Sequence, residues 1–141
     1  MPSRRALPWF AFPLGAFAAS RLVTVLAAFA VRYFSGEDTV LDVFTEKWDT
    51  GYYIGIARDG YPSTVPDGPS YLGFFPLFPL LARLVATLPG VDIPVAGLLV
   101  TLATGAGATL LVWRLAARTF DRAVADRAAL LFCFFPGSYA L

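Results

Sequence analysis

The sequence predicts an all-α membrane protein, with several helices crossing the bilayer and shorter juxtamembrane helices in the first non-cytoplasmic loop. Three observations predict it. First, of 141 residues 57% are hydrophobic and 15% charged, where a soluble domain has about 45–50% and about 25%. Second, apolar blocks of spanning length recur along the chain. Third, most of the acidic residues are gathered between two of those blocks: Glu37, Asp38, Asp42, Glu46, Asp49, Asp59 and Asp67.

The first block, residues 8–34, is interrupted by Arg21 and Arg32 and preceded by Arg4 and Arg5. It exceeds the roughly 20 residues that a bilayer requires. Its length also favours a retained helix over a cleaved export signal, whose apolar core is shorter. Residues 93–113 carry no charge and read as the second span. Gly97, Thr101, Thr104, Gly105, Gly107 and Ala108 give this helix small residues suited to close helix–helix approach. Residues 128–141 read as the start of a third span, with Pro136 inside it.

Charge placement orients the spans. Arg114, Arg118, Arg122 and Arg127 fall in 114–127, against Asp121 and Asp126. Basic residues favour the cytoplasmic side, so 114–127 reads as a cytoplasmic basic loop. Both basic clusters are cytoplasmic if the apolar piece at 71–89, which contains Pro76, Pro79 and Arg83, lies in the interface or re-enters instead of crossing. Residues 35–92 then form a non-cytoplasmic loop. Interfacial helices are expected at about 48–59 and 74–88. Trp48, Tyr52, Tyr53, Tyr61, Phe74, Phe75 and Phe78 enrich this loop in rings, and Trp and Tyr favour the headgroup level, where the polar atom stays wet.

Several chemistries are excluded. There is no histidine, which removes Ser-His-Asp and Cys-His catalysis and histidine metal sites. Cys133 is the single cysteine; it forms no intrachain disulfide and reads as a small buried hydrophobe. A net charge of +1 offers nucleic acid no attractive field. No metal signature is present, since Asp49 and Asp59 are too widely spaced to make one, and metal dependence stays undetermined.

What remains is the loop. Trp48, Tyr52 and Ile56 are about one helical turn apart, as are Asp49, Tyr53 and Ala57. Gly60 is a plausible stop. A surface helix here would turn its aromatics to lipid. Asp49 reads in two ways: as a helix N-cap, or as a base that deprotonates an acceptor hydroxyl while a lipid phosphate departs. Arg21, inside a span, is either a structural or snorkelling residue or a partner for lipid phosphate. Arg83 is placed to touch headgroups.

Trp48-Asp49, Tyr52-Tyr53, Ile56-Ala57 and Gly60-Tyr61, followed by the run Phe74-Phe75-Pro76-Leu77-Phe78-Pro79-Leu80-Leu81 and by Phe134-Phe135-Pro136, resemble the PIG-V-type mannosyltransferase family of the GT-C membrane glycosyltransferases. The resemblance runs from about Arg21 to Leu141. It implies transfer of mannose from a polyprenyl-phosphate donor to a lipid or protein hydroxyl on the non-cytoplasmic face, by an inverting reaction. It implies Asp49 as the catalytic carboxylate, with Trp48, Tyr52, Tyr53, Arg21 and Arg83 as substrate-binding residues. The partners implied are membrane lipid and the polyprenyl-phosphate-mannose donor, which is a substrate and not a cofactor. The location implied is a multi-pass position in a bacterial cytoplasmic membrane, or the endoplasmic reticulum membrane in a eukaryote. GT-C enzymes have many more spans, and a Tyr-Thr-Glu-like segment expected soon after Pro136 does not occur before Leu141. The chain is therefore expected to correspond to the N-terminal part of such an enzyme. The alternative is a non-enzymatic membrane subunit whose aromatic loop binds lipid or a partner subunit.

Overall fold

A computed structural model describes residues 8–36, 39–45, 49–63 and 71–135. Trp48, Arg4, Arg5 and Pro136 lie outside the described residues. Among the described residues the regular elements are all helical: α1 (Ala11–Ser35), α2 (Val40–Thr45), α3 (Thr50–Asp59), a 3₁₀ turn (Tyr71–Gly73), α4 (Leu77–Val85), α5 (Ile93–Thr119) and α6 (Arg122–Phe134). The chain divides into two compact units. One comprises Met1–Leu26 and Thr104–Leu141, the other Ala27–Ala103.

Helix α1 tolerates Pro13 because the first turn has no internal partner for that N–H. It stops at Gly36, whose φ of 73° is one a side chain disfavours; the Gly36 N–H closes the last turn on the Arg32 carbonyl at 3.1 Å. At 25 and 27 residues, α1 and α5 extend about 37 and about 40 Å. Both are long and apolar enough to cross a membrane. Only 17% of the apolar stretch of each is buried. Leu22, Leu26 and Phe29 on α1 and Leu102, Leu111 and Leu115 on α5 face outward. A core helix of a soluble protein hides such side chains, whereas a bilayer solvates them. These two helices point to a membrane protein.

In the first unit, Phe17 of α1 meets Gly105 of α5. A Cβ at Gly105 would lie 2.9 Å from the Phe17 ring, so only glycine permits that approach without a shift. The expected use of small residues holds here but not at Gly107, where a Cβ would meet nothing within 4 Å. One turn on, Thr109 is fully buried. Its hydroxyl donates to the Gly105 carbonyl at 2.8 Å and lies 3.6 Å from Cys133 Sγ on α6. Trp113 packs on Ala125 and Ala129, and its indole N–H donates to Asp126 at 2.7 Å. Arg114 sits over the Trp9 ring at 4.2 Å.

The 114–127 stretch, read from charge as a loop, is mostly helical. Only Phe120 and Asp121 separate α5 from α6. Asp121 accepts the Val124 N–H at 2.8 Å and so starts α6 at once, as an N-cap does. Arginine and alanine on either side are strong helix formers.

In the second unit α2 packs on α3 and α3 on α4. Thr39 and Asp42 form a reciprocal cap on α2: the Asp42 carboxylate accepts the Thr39 N–H at 2.7 Å, and the Thr39 hydroxyl oxygen accepts the Asp42 N–H at 3.2 Å. Helix α4 begins at Leu77, later than the expected 74, and admits Pro79 in its first turn, where no donor is needed. Its nine residues span about 14 Å, too short to cross a bilayer. A turn through Leu88 and Gly90, with φ of 78°, leads to α5. Asp92 caps that helix by accepting the Val95 N–H at 2.9 Å. Phe78 lies against Gly97.

Replacing Gly105 with leucine forces Phe17 to move and lowers thermal stability in detergent by about 1–3 kcal/mol; Gly107→Leu does not, and equal melting temperatures for the two variants would refute the close contact. In a second test, Trp113→Phe leaves the Asp126 carboxylate without its indole donor. A double-mutant cycle with Asp126→Ala reads a coupling of about 1–3 kcal/mol.

Candidate functional site

The loop motif folds so that its two halves meet at one ring. Phe74 stacks on Tyr52 at 4.9 Å between centroids, and Tyr53 meets it edge-on at 5.0 Å. Tyr53 also meets Phe78 edge-on at 5.3 Å. The Tyr61 hydroxyl donates to the Phe74 carbonyl. Edge and offset ring pairs are favourable because the ring edge is positive and its face negative.

This arrangement corrects one expectation. The α3 aromatics, expected to turn to lipid, pack on rings of the 74–78 segment instead. Ile56 and Ala57 are both buried, and Tyr52 and Tyr53 turn to Phe74 and Phe78. All four make one face of α3, directed at protein. The reason is the ring partners on the 74–78 segment, which take up aromatic surface that would otherwise need lipid. Gly51, Arg58 and Asp59 are exposed on the remaining surface.

Asp49 stands at the N-cap of α3, but not as a cap. Its carboxylate makes no cap hydrogen bond. Only its main-chain carbonyl is used, accepting from Tyr52 and Tyr53 at 3.1 and 3.2 Å. Its backbone is helical, with φ of −75° and ψ of −4°, which directs the side chain away from the free amides of the first turn; an extended N-cap such as Asp121 aims at them. Asp42, Asp92 and Asp121 all cap helices, and Asp126 holds an indole. Asp49 is exposed, and it precedes Tyr52 and Tyr53 by one turn on the same face. The result is an acidic group at the end of an aromatic wall.

Of the other predicted site residues, Tyr52, Tyr53 and Arg83 share the second unit with Asp49. Arg21 belongs to the first unit. It is half-buried, its Nε donates to the Ser20 hydroxyl oxygen at 3.3 Å, and its guanidinium carbon lies 5.2 Å from the Phe17 ring centroid. Trp48 lies outside the described residues. Asp59 is at the far end of α3, about 15 Å along the axis from Asp49. Among the described residues no three acidic or cysteine side chains gather to hold a metal ion.

Sequence reasoning missed two features. The role of Phe74 as the joint between the motif halves was detectable only as a pair of motifs occurring together. Arg58, which the sequence did not single out, lines a groove with Arg83. No family model matches the chain, and no curated protein or solved structure matches it.

Phe74→Ala removes two ring contacts and is expected to destabilise the protein by about 2 kcal/mol, at about 0.5–1.5 kcal/mol per aromatic pair in addition to lost burial. Phe75→Ala is the control, because Phe75 is 82% exposed. Chemical denaturation of the two variants in the same detergent checks this, and equal loss in both would contradict the joint.

Proposed function

We propose that this chain carries the catalytic carboxylate of a multispanning membrane glycosyltransferase that works on the non-cytoplasmic face. The donor is a polyprenyl-phosphate sugar, mannose by the resemblance, and the acceptor is a lipid or protein hydroxyl. Asp49 takes the proton of that hydroxyl. The hydroxyl oxygen forms a bond to the sugar's anomeric carbon as the bond from that carbon to the phosphate oxygen breaks. The electron pair leaves with polyprenyl phosphate, and attack from the opposite face inverts the anomeric centre.

The observation that carries this reading is the unused carboxylate of Asp49. Its competing role was helix capping, and α3 takes no hydrogen bond from it. Tyr52, Tyr53 and Phe74 support the reading by bracing the turn that carries Asp49, since a base must be held in position to act. Arg83, within the same unit as Asp49, is a cationic group suited to substrate phosphate. The two long apolar helices agree with a membrane-borne, lipid-linked substrate.

The second reading is a non-enzymatic subunit. It draws on Leu72, Phe75 and Leu77, which are exposed beside the aromatic joint and offer an apolar rim to lipid or a partner subunit. One assay separates the two. Membranes expressing the gene that encodes this chain are supplied with polyprenyl-phosphate mannose, and mannose transfer is measured. Asp49→Asn keeps the shape and removes the base, so transfer falls by about 10²–10⁴-fold, the usual share of general-base catalysis. Undiminished transfer in that variant removes Asp49 from the mechanism.

A further inference from the structure

Four arginines stand at the corner between α5 and α6, in the first unit: Arg114 and Arg118 before it, Arg122 and Arg127 after it. All four are exposed. The two helices fold back on each other there, since Trp113 packs on Ala125 and Ala129 while Thr109 reaches Cys133. Arg118 and Arg122 sit at the helix ends, and Arg114 and Arg127 lie only one to two turns from them, about 8 Å along the axis. The arginines therefore form a belt at one level of the hairpin instead of a stripe on one face.

The acidic residues of the corner are engaged elsewhere. Asp121 accepts the Val124 N–H and Asp126 accepts the Trp113 indole N–H. Four positive charges against these two leave the 114–127 stretch at +2. Arg122 is the first residue of α6, where the positive end of the helix field opposes a cation. An anion bound from outside offsets that cost.

Apolar and aromatic surface at the same level says what carries the anion. Phe120, at the tip, is 69% exposed and Leu115 is 68% exposed. Trp9 lies against Trp113 at 5.9 Å between centroids, and the Arg114 guanidinium stands over the Trp9 ring at 4.2 Å. Tryptophan favours the headgroup level of a bilayer, so this contact anchors one arginine of the belt at that depth. An exposed phenylalanine among arginines suits a surface that offers both charge and acyl chain, whereas an acidic peptide leaves the ring in water.

We infer that the α5–α6 corner is a docking surface for anionic phospholipid headgroups in the leaflet that basic residues favour, the cytoplasmic one. The arginine belt takes the charged headgroups, and Phe120 enters the acyl boundary. Neither Asp49 nor sugar transfer is involved, and a non-enzymatic subunit would use the corner in the same way.

The test reconstitutes the full chain in nanodiscs with equal amounts of phosphatidylglycerol and phosphatidylcholine. Lipids that stay with the protein on ejection are counted by native mass spectrometry. The two probes share phosphate and acyl chains and differ in net charge. The parent prefers phosphatidylglycerol, and Arg118→Gln/Arg122→Gln lowers that preference by about 10–30-fold at low ionic strength. Arg114 is left in place because it packs on Trp9. Arg118→Lys/Arg122→Lys keeps most of the preference, since the charge remains. Salt at about 1 M, which screens beyond about 3 Å, lowers the preference of the parent and hardly moves that of the glutamine variant. Phe120→Ser lowers retention of both lipids alike, because it removes apolar contact and no charge. Circular dichroism checks helix content, and the single arginine variants replace the double one should it not fold. A glutamine variant with the preference of the parent overturns the docking surface. So does displacement of phosphatidylglycerol by added polyglutamate, which would assign the corner to an acidic protein partner.

Discussion

Phe74 joins residues 49–61 to the 74–85 segment through its ring and its main chain at once. Tyr52 stacks on the ring, Tyr53 meets its edge, and the Tyr61 hydroxyl takes the carbonyl. That joint fixes how α3 meets the 74–78 segment. Helix α3 must turn its Tyr52, Tyr53, Ile56 and Ala57 face toward α4. The Arg58 and Asp59 end is left outward, and Asp49 is carried at the opposite end. Helix α4, held on one side, has its leucine row left over. One ring thus braces the helix that carries the acidic group, while the leucine row of α4 stays exposed.

The aspartates divide by backbone geometry. Asp121 has an extended backbone, with φ of −138° and ψ of 177°, and its carboxylate caps α6. Asp49 has helical angles, and its carboxylate caps nothing. Chemically identical groups at equivalent helix positions are thus committed or left available according to two dihedral angles. Since a cap is the commonest structural use of aspartate at that position, its absence gives the Asp49 carboxylate a reason to be read as functional.

Close packing in the first unit depends on residues that contribute almost nothing themselves. Gly105 admits the Phe17 ring, while Ala125 and Ala129 form the floor beneath Trp113. Thr109 is buried without cost to the helix because its hydroxyl returns to the Gly105 carbonyl one turn back. Such packing needs no hydrophobic driving force between helices, which is consistent with outward faces that remain apolar.

The all-helical class was legible in the sequence because apolar runs of spanning length need internally satisfied backbones, and only hydrogen bonds within each run supply them here. The two long helices are a local matter of composition, whereas the start of α6 at Asp121 was hidden by the basic charge that made 114–127 read as a loop. The small-residue reading was correct for Gly105 and not for Gly107, since periodicity names a face but not the residue that a neighbouring ring will reach. The lipid-facing aromatics were misread for the same reason: a half-polar ring is as well satisfied by another ring as by a headgroup, and sequence spacing does not distinguish them. The sequence by itself determined that Asp49 opens a helix within an aromatic, acidic loop. Only the tertiary structure decided that its carboxylate is not spent on the cap, and that Arg58 and Arg83 share one groove, because both depend on backbone angles and helix contacts between residues distant in the chain.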